Sequence, residues 1–366
     1  IPYVGSNPSG HALALDKVTT KIILQKHGIP TPNFWVYSSH EEKMNDVEYP
    51  VIVKPKMEAV SFGLKVVDNE GDLREAVRFI IEEYQQQALV EQFIRGREFA
   101  IGTLGNNPPE AFPVLEIDLE SDPDAIQTME DKKKRPRQKI CPADLPEKLA
   151  VDMQNAGIEA FKSLHLYDFS RVDIRLDEQG NFYILEVNSM ASLGRTGSYT
   201  FSAAAAGLEY DALVNKILDS AAKRYFGDEY QPKAPAGRKT QGVATQKVKS
   251  FLRNRQKNYF EMLKSLVNTN THVRNLEGVN HINSVIHKHL NSLGFSFQVI
   301  PQAEIGNIQF FSNTDTDEYD ILLIGNIDNQ VEIGRTRYFK ETEQKIFGTG
   351  VWENKGGLVI MVAARS

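Results

Sequence analysis

FYILEVNSM, residues 182–190, begins as an apolar strand and sets Glu186 and Asn188 where the apolar run ends. Just upstream, SRVDIRL (170–176) is a second strand-like run, and Asp177 to Gly180 supplies turn chemistry between the two, which predicts an antiparallel hairpin. Side chains alternate faces along a strand, so Glu186 and Asn188 share one face, as do Arg171, Asp173 and Arg175 on the neighbour. Where the pairing register agrees, Asp173, Glu186 and Asn188 converge. Two carboxylates withdrawn from water together need a compensating cation, and hard oxygen ligands are what Mg²⁺ accepts, usually with substrate phosphates completing its octahedron. Arg171 would face the same phosphates. The alternative is a polar sheet face carrying an Arg–Asp pair and no ion.

Outward from this hairpin, strand-like runs alternate with helical ones. YPVIVKP (49–55), ALVEQFI (88–94) and EFAIGTL (98–104) read as strands; KVTTKIILQKHG (17–28), DLREAVRFIIEEYQQQ (72–87) and LPEKLAVDMQNAGIEAFKSLH (145–165) read as helices. The fold class is therefore α/β, of the α+β kind. Composition shifts at GDEYQPKAPAGRKTQGVATQ, residues 227–246, where structure breakers replace periodic apolar positions; this segment is expected to be a linker. Beyond it, QKVKSFLRNRQKNYFEMLKSLV (246–267) reads as a helix, and Val279, Ile282, Ile286, Leu290 and Leu293 form an apolar stripe ending at Gly294. YDILLIGNID (319–328) reads as a buried strand.

A nucleotide site also needs cations for phosphates and an acceptor edge for base and ribose. Lys54 closes the run PVIVKP, and KMEAVSFGLKVV (56–67) places Ser61 and Gly63 in a small-residue turn whose backbone N–H groups would cover phosphates; an ordinary hairpin tip is the alternative. Glu91 ends an apolar strand and Glu98 follows a Gly turn, positioned to accept from the adenine amino group and the ribose hydroxyls.

With these motifs in this order, the first 226 residues resemble ATP-grasp ligases of the D-alanine–D-alanine ligase type. The matching pieces are IPYVGSNPSGHALALDKVTTK, GIPTP, YPVIVKPKMEAVSFGLKVV, ALVEQFIRGREFAIG, KICPADLP and RVDIRLDEQGNFYILEVNSMASLG. The resemblance implies an ATP-grasp fold of two α/β subdomains with ATP between them: residues 1–104 as the central lid subdomain with the end of the N-terminal domain, and 105–226 as the C-terminal subdomain. It implies that Lys17 and Lys54 contact ATP phosphates under a loop around Ser61 and Gly63. Glu91 and the backbone of Gln92, Phe93 and Ile94 would hold adenine, Glu98 would hold ribose, and Asp173, Glu186 and Asn188 would bind Mg²⁺, two ions by family habit, with Mn²⁺ an acceptable substitute. Arg171 would stabilise the transferring phosphoryl group. The implied reaction makes an acyl phosphate from a carboxylate and ATP, which an amine then attacks to form a dipeptide or amide bond, as in peptidoglycan or dipeptide biosynthesis. Amino-acid-like small molecules are the implied substrates, and a homodimer is the implied assembly.

The chain departs from the family pattern in its substrate regions. The loop reads EAVSFG (58–63), with Ala59 and Val60 where the family has Gly and Ser, and the family's Lys–Tyr loop aligns with EDKKKRPRQK (130–139), where Lys132 is the nearest lysine and no Tyr is present. SMASLGRTGSY (189–199) puts Ser192, Arg195, Gly197 and Ser198 where the acceptor amino acid is held; Arg195 would recognise a carboxylate or face solvent. The family's N-terminal domain would largely precede Ile1. A start at Ile1 and an ending in LVIMVAARS suggest a fragment at both ends.

Residues 247–366 resemble the beginning of the zinc aminoacylase and carboxypeptidase family that includes acetylornithine deacetylase, on TNTHVRNLEGVNHINSVIHKHLNSLGF, YDILLIGNIDNQVEIG and IFGTGVWENKGGLVIMVAA. The family's His-x-Asp becomes Asn326-Ile327-Asp328, and the later segment that supplies its bridging Asp before Lys-Gly-Gly becomes Glu353-Asn354-Lys355. Asn is a poor zinc ligand, so no zinc and no peptide hydrolysis are expected here. His272, His281, His287 and His289 read as surface or helix-face residues.

Composition closes off other classes. At 25% charged residues and a formal net charge of −6, the chain offers no general attraction to nucleic acid or anionic membranes. The single cysteine, Cys141, excludes an intrachain disulfide framework and fits a cytoplasmic setting. No apolar run is long enough to span a bilayer. A carboxylate–amine ligase leads the readings; the others are a nucleotide-binding regulatory protein that does not ligate and a fragment of a ligase–peptidase fusion.

Overall fold

Apolar runs become strands where a neighbouring run supplies the other half of the hydrogen-bond ladder, and in the first part of this chain those neighbours are present. The structure, a computed structural model, describes residues 2–58, 63–120, 122–126, 137–227, 238–316, 322–343, 345–351 and 354–365, with the side chains of 238–247, 249 and 365 excepted. Ser61 and Lys132 of the expected site, and Glu353, lie outside the described residues. The chain divides into two compact units, Ile1–Pro232 and Lys233–Ser366.

The first unit opens with helices α1 (Pro8–Leu15) and α2 (Lys17–Lys26), the second capped by the Asp16 side chain, which accepts from the Thr19 N–H at 3.0 Å. A first antiparallel sheet follows, built from β1 (Phe34–Tyr37), β2 (Val51–Pro55), β3 (Lys65–Val67) and β4 (Ala88–Gln92) in the order β1-β4-β2-β3. Helix α3 (Glu70–Tyr84) covers it. Its Leu73, Ala76, Val77 and Ile80 recur at helical spacing and bury against Val51, Val53, Val67 and Val90. Full burial of each larger side chain is worth roughly 1.5–3 kcal/mol. Asn69 starts the helix by accepting from the Asp72 N–H, and Gln85 ends it in the left-handed region at φ 51°.

A second sheet runs β10-β9-β5-β7-β8, with β6 (Glu110–Ala111) paired to β5. Its members are β5 (Arg97–Leu104), β7 (Leu115–Ile117), β8 (Lys139–Ile140), β9 (Phe169–Leu176) and β10 (Phe182–Asn188). β5 is hydrogen-bonded along its length to β9, so the two sheets are divided between Gln92 and Arg97. One face of this sheet carries Phe99, Ile101, Val172, Ile174, Ile184 and Val187 into a core closed by α4 (Glu147–Ser163), with Leu24 of α2 and Ala14 of α1 in the same cluster. Helices α5 (Ser198–Ala205) and α6 (Tyr210–Phe226) complete the unit. Buried Tyr199 of α5 donates to the Thr103 carbonyl, and Arg224 of α6 pairs at 2.9 Å with buried Asp168, which also accepts from the Gly5 N–H.

The hairpin of β9 and β10 carries one irregularity. Ile184 faces Ile174, yet Glu186 faces Asp173, so Leu185 is an extra residue and the register shifts by one. An unbroken register would have put Glu186 opposite Val172, a core residue. The bulge keeps both Ile184 and Val187 in the core while turning Glu186 and Asn188 onto the face of Asp173 and Arg171.

In the second unit, α7 (Arg238–Asn268), α8 (Leu276–Asn291) and α9 (Lys355–Arg365) share a core of Tyr259, Leu266, Ile282, Ile286, Leu290 and Val362. β11 (Ser296–Ile300) pairs with β12 (Ile308–Ser312), and β13 (Lys340–Glu341) with β14 (Ile346–Phe347). Two expectations change. Leu293 lies beyond α8 and is exposed, whereas the other four stripe residues are buried. The run expected as a buried strand forms none at residues 322–328, and Ile324 is 82% exposed. Hydrophobicity nominated that strand, but no described strand pairs with it. Among the described residues, no helix is long and apolar enough to cross a membrane.

Gly96, in the turn between the two sheets, has φ +132°, and a Cβ there would stand 2.1 Å from the Leu176 carbonyl oxygen. Gly180, in the hairpin turn, has φ +85° with nothing within 4 Å of a Cβ. Gly96→Ala is expected to cost roughly 3 kcal/mol and Gly180→Ala only about 1 kcal/mol in urea unfolding of the whole chain. Equal costs would contradict the close approach at Gly96.

Candidate functional site

The three side chains singled out on the hairpin lie together. Asn188 Nδ2 lies 3.0 Å from Asp173 Oδ2 and 3.4 Å from Glu186 Oε1, all on one face of the second sheet. Arg171 grips Asp173 through two parallel bonds of 2.7 Å, Nε to Oδ1 and NH2 to Oδ2. Two carboxylates and a carboxamide within reach of one another form an oxygen-rich donor set that suits a hard divalent cation. Among the described residues, no group of three His, Cys, Asp or Glu side chains forms a metal cluster, and the set here has two carboxylates.

Opposite this face stand the lysines of the first sheet and of α2. Lys17 Nζ is 3.7 Å from Glu186 Oε2 and also donates to the Glu58 carbonyl, which ties the start of α2 to the segment after β2. Lys54, the fourth residue of β2, lies 2.8 Å from Glu91 Oε1. Lys21 approaches the same oxygen at 3.2 Å from behind. Lys17, Lys54, Glu91, Glu98, Asp173 and Glu186 thus line one cleft, together with Phe93, Ile94, Gln92 and Leu185. A larger cavity of about 460 Å³ lies in the second unit, but its walls are mainly apolar and gather no such set of charges, so volume does not mark the chemistry.

Burial alone would raise the Glu186 carboxyl, yet Lys17, Lys54 and Arg171 outweigh it and hold the group at about 2. Glu91 follows the same pattern: burial opposes ionisation, and Lys21 and Lys54 overcome it, leaving its pKa below the ordinary value. Burial pulls Lys17 down against the pull of Glu186. For Arg171, burial works against the charged form, but Asp173 prevails and the pKa rises. Glu186, Glu91 and Arg171 are thus held in their charged forms, and the cleft sets lysines beside carboxylates that a metal ion would draw upon. That balance suits a polyphosphate arriving with divalent cations.

The other expected residues sort into two groups. Glu98 reaches this cleft and pairs with Arg175 at 3.0 Å, across the β5–β9 ladder. The N–H groups of Gln92 and Phe93 are already taken by the Asn33 and Pro50 carbonyls. Gly63, at φ +69°, sits where a Cβ would press on Pro55 and Ile80 at 3.1 Å, so the turn after the loop needs glycine. In the acceptor segment, Gly197 caps α5, with Ser198 its first residue, and Ser192 Oγ accepts from the Gly194 N–H. The Arg195 side chain is 72% exposed and lies over the Tyr210 ring at 4.0 Å, close to Asp211. Within EDKKKRPRQK, the last lysine is the one the structure places. Lys139 donates to the Thr196 carbonyl at 2.7 Å, and burial and then nearby Arg171 lower its pKa.

Sequence reasoning missed Lys21 and understated Arg175. Lys21 is one helical turn beyond Lys17, on the same helix face, which was a usable signal. Arg175 alternates with Asp173 and Arg171 on β9, and its burial against Glu98 follows from the β5 register, which is a long-range fact.

Residues 23–219 match the family described as D-ala D-ala ligase C-terminus, a span that includes every candidate site residue from Lys54 to Ser198. The uncharacterized protein y4sG of Sinorhizobium fredii is 40% identical over 230 residues, covering 62% of this chain and 68% of that protein. D-alanine–D-alanine ligase of Pelotomaculum thermopropionicum is 34% identical over 235 residues, 60% of this chain and 72% of the ligase. The solved D-alanine–D-alanine ligase of Coxiella burnetii superposes with a TM-score of 0.54 at 25% identity, over 62% of this chain and 61% of that one. The chain thus spans between three-fifths and three-quarters of the length of these relatives. It matches the C-terminal region of the D-alanine–D-alanine ligases through residues 23–219 and belongs to that family, ATP-dependent enzymes that form C–N bonds.

Proposed function

We propose that the first unit joins a carboxylate to an amine at the expense of ATP, through an acyl phosphate, on amino-acid-like substrates of the D-alanyl-D-alanine kind. The observation that carries the reading is the meeting of Asp173, Glu186 and Asn188 beside Arg171 and opposite Lys17 and Lys54. A carboxylate oxygen is a poor leaving group, so the amine cannot displace it directly. Phosphorylation by ATP makes it one: the substrate carboxylate attacks the γ-phosphorus, ADP leaves, and the amine then attacks the carbonyl and expels phosphate, losing a proton.

In this reading Lys17 and Lys54 bind the phosphates, the Gln92 carbonyl, the Ile94 N–H and Glu91 meet the base, and Glu98 meets the ribose. Two Mg²⁺ ions, or Mn²⁺, held by Asp173, Glu186 and Asn188 would offset phosphate charge when bound, with the Asn188 amide turned to offer its oxygen. Arg171, once its hold on Asp173 loosens, is placed to stabilise the transferring group. Ser61 and Lys132, outside the described residues, would act on the same substrates, and Ser192, Gly197 and Ser198 from the acceptor segment. A cytoplasmic setting belongs to the same proposal, since the nucleotide is there and the single thiol requires no oxidant. For the second unit, the motif order of 269–364 supports a peptidase-like domain without peptide hydrolysis; exopeptidase activity on addition of Zn²⁺ would overturn that part.

Phosphate release from ATP, screened over D- and L-amino acids, is expected to depend on an added amino acid. Turnover with no amino-acid dependence would count against ligation. Chelation by EDTA should abolish that release and Mg²⁺ should restore it. Glu186→Gln should lower it by roughly 100-fold or more with an unchanged circular dichroism spectrum. Arg171→Lys, which loses the planar fork, should lower kcat while leaving KM for ATP close to that of the parent, whereas an effect confined to KM would reassign Arg171 to ground-state binding.

A further inference from the structure

The proposed nucleotide site uses Lys17, Lys54 and Glu91 but leaves the most buried cation of the unit unexplained. Lys21 has no exposed surface and lies outside the cleft lining. Its ammonium stands 3.2 Å from Glu91 Oε1 and donates to Thr31 Oγ1 at 2.8 Å. The Thr31 hydroxyl in turn donates to the Ile184 carbonyl at 2.8 Å, and the Ile184 N–H donates to the Pro30 carbonyl at 2.8 Å. Glu91 belongs to β4 of the first sheet, and Ile184 to β10 of the second, next to the bulged Leu185. Lys21 is therefore fastened to both sheets at once.

Resting on the nucleotide-site reading above, we propose that Lys21 is a positioning residue: it neutralises Glu91 from behind, which leaves Lys54 available to phosphate, and it holds Glu91 in place against the metal-binding strand. Glu91 is buried and ionised and needs a full counter-charge. Lys54 is its only other contacting cation among the described residues, at 2.8 Å, and Lys54 lines the cleft where phosphate is expected. Without Lys21 the whole demand of Glu91 falls on Lys54 and draws it away from its ligand. The charged groups facing Lys21 are Glu91 on β4, Lys54 on β2 and Glu186 on β10, and the two carboxylates favour its charged form while burial opposes it.

Three variants of the full chain test this by titration calorimetry with Mg·ATP, by KM and kcat, and by thermal melting. Lys21→Gln keeps a hydrogen-bonding head without the charge and is expected to weaken ATP binding about tenfold or more, equivalent to about 1.4 kcal/mol. It should raise KM for ATP while leaving KM for the amino acid unchanged, a split that a purely structural lysine would not produce. In a Glu91→Gln background, Lys21→Gln should cause no further loss, because Lys21 acts through Glu91. Thr31→Val, nearly isosteric, keeps the charge and cuts the tie to β10; it should weaken ATP binding with little change in melting temperature, and it decides the matter if Lys21→Gln does not fold. Unchanged ATP affinity in Lys21→Gln or Thr31→Val, or full additivity with Glu91→Gln, overturns the proposal. A parent chain that itself fails to bind ATP overturns the nucleotide-site reading beneath it.

Discussion

The extra residue at Leu185 is the constraint on which the rest of this structure depends. A strand with strict alternation would place Ile184, Glu186 and Asn188 on one face, and that face would have to be core and site at once. The bulge separates the two demands. Ile184 and Val187 pack with Val172 and Ile174 under α4, while Glu186 and Asn188 come to stand across from Asp173 and Arg171. Leu185 itself lines the cleft. Bulges are known to re-aim side chains near sites, and here one does so without breaking the antiparallel pairing.

Around this strand the protein arranges a dense set of buried charges that would be costly singly and is tolerable as a set. Glu91 has two lysines, Glu186 has Lys17 close and Lys54 and Arg171 nearby, Asp173 has a two-pronged arginine, and Glu98 has Arg175. Such a network is a poor source of stability, since desolvation cancels much of the attraction. Such a network suits preorganisation: fixed charges already in place when a polyphosphate arrives need no reorganisation at that moment. The two sheets supply opposite walls, and α2 with the Pro30–Thr31 segment connects them.

The second unit follows a different logic. Its helices bury a consistent apolar cluster, but the run Leu322–Asp328, rich in strand formers, has no described strand beside it and leaves Leu322, Leu323 and Ile324 exposed. Strand propensity describes fitness for a pleated, half-buried surface; it does not create the neighbour that makes such a surface.

How much of this was legible beforehand differs by residue. Turn chemistry at Asp177–Gly180 and the alternation along 170–176 and 182–188 were enough to pair the two runs as a hairpin and to give Glu186 and Asn188 one face in common, because hairpin pairing is local and side-chain direction follows from strand geometry; that this is also the face of Asp173 depended on the register. The helices covering both sheets were equally readable from apolar spacing. What the tertiary structure alone decided were matters of long-range pairing: the one-residue shift at Leu185, the assignment of β5 to the second sheet, the approach of Lys21 and Lys54 to a single oxygen of Glu91, and the outward turn of Arg195 onto Tyr210. Local pattern determines which face a side chain takes on its own element; which charge waits on the other side depends on how distant elements meet.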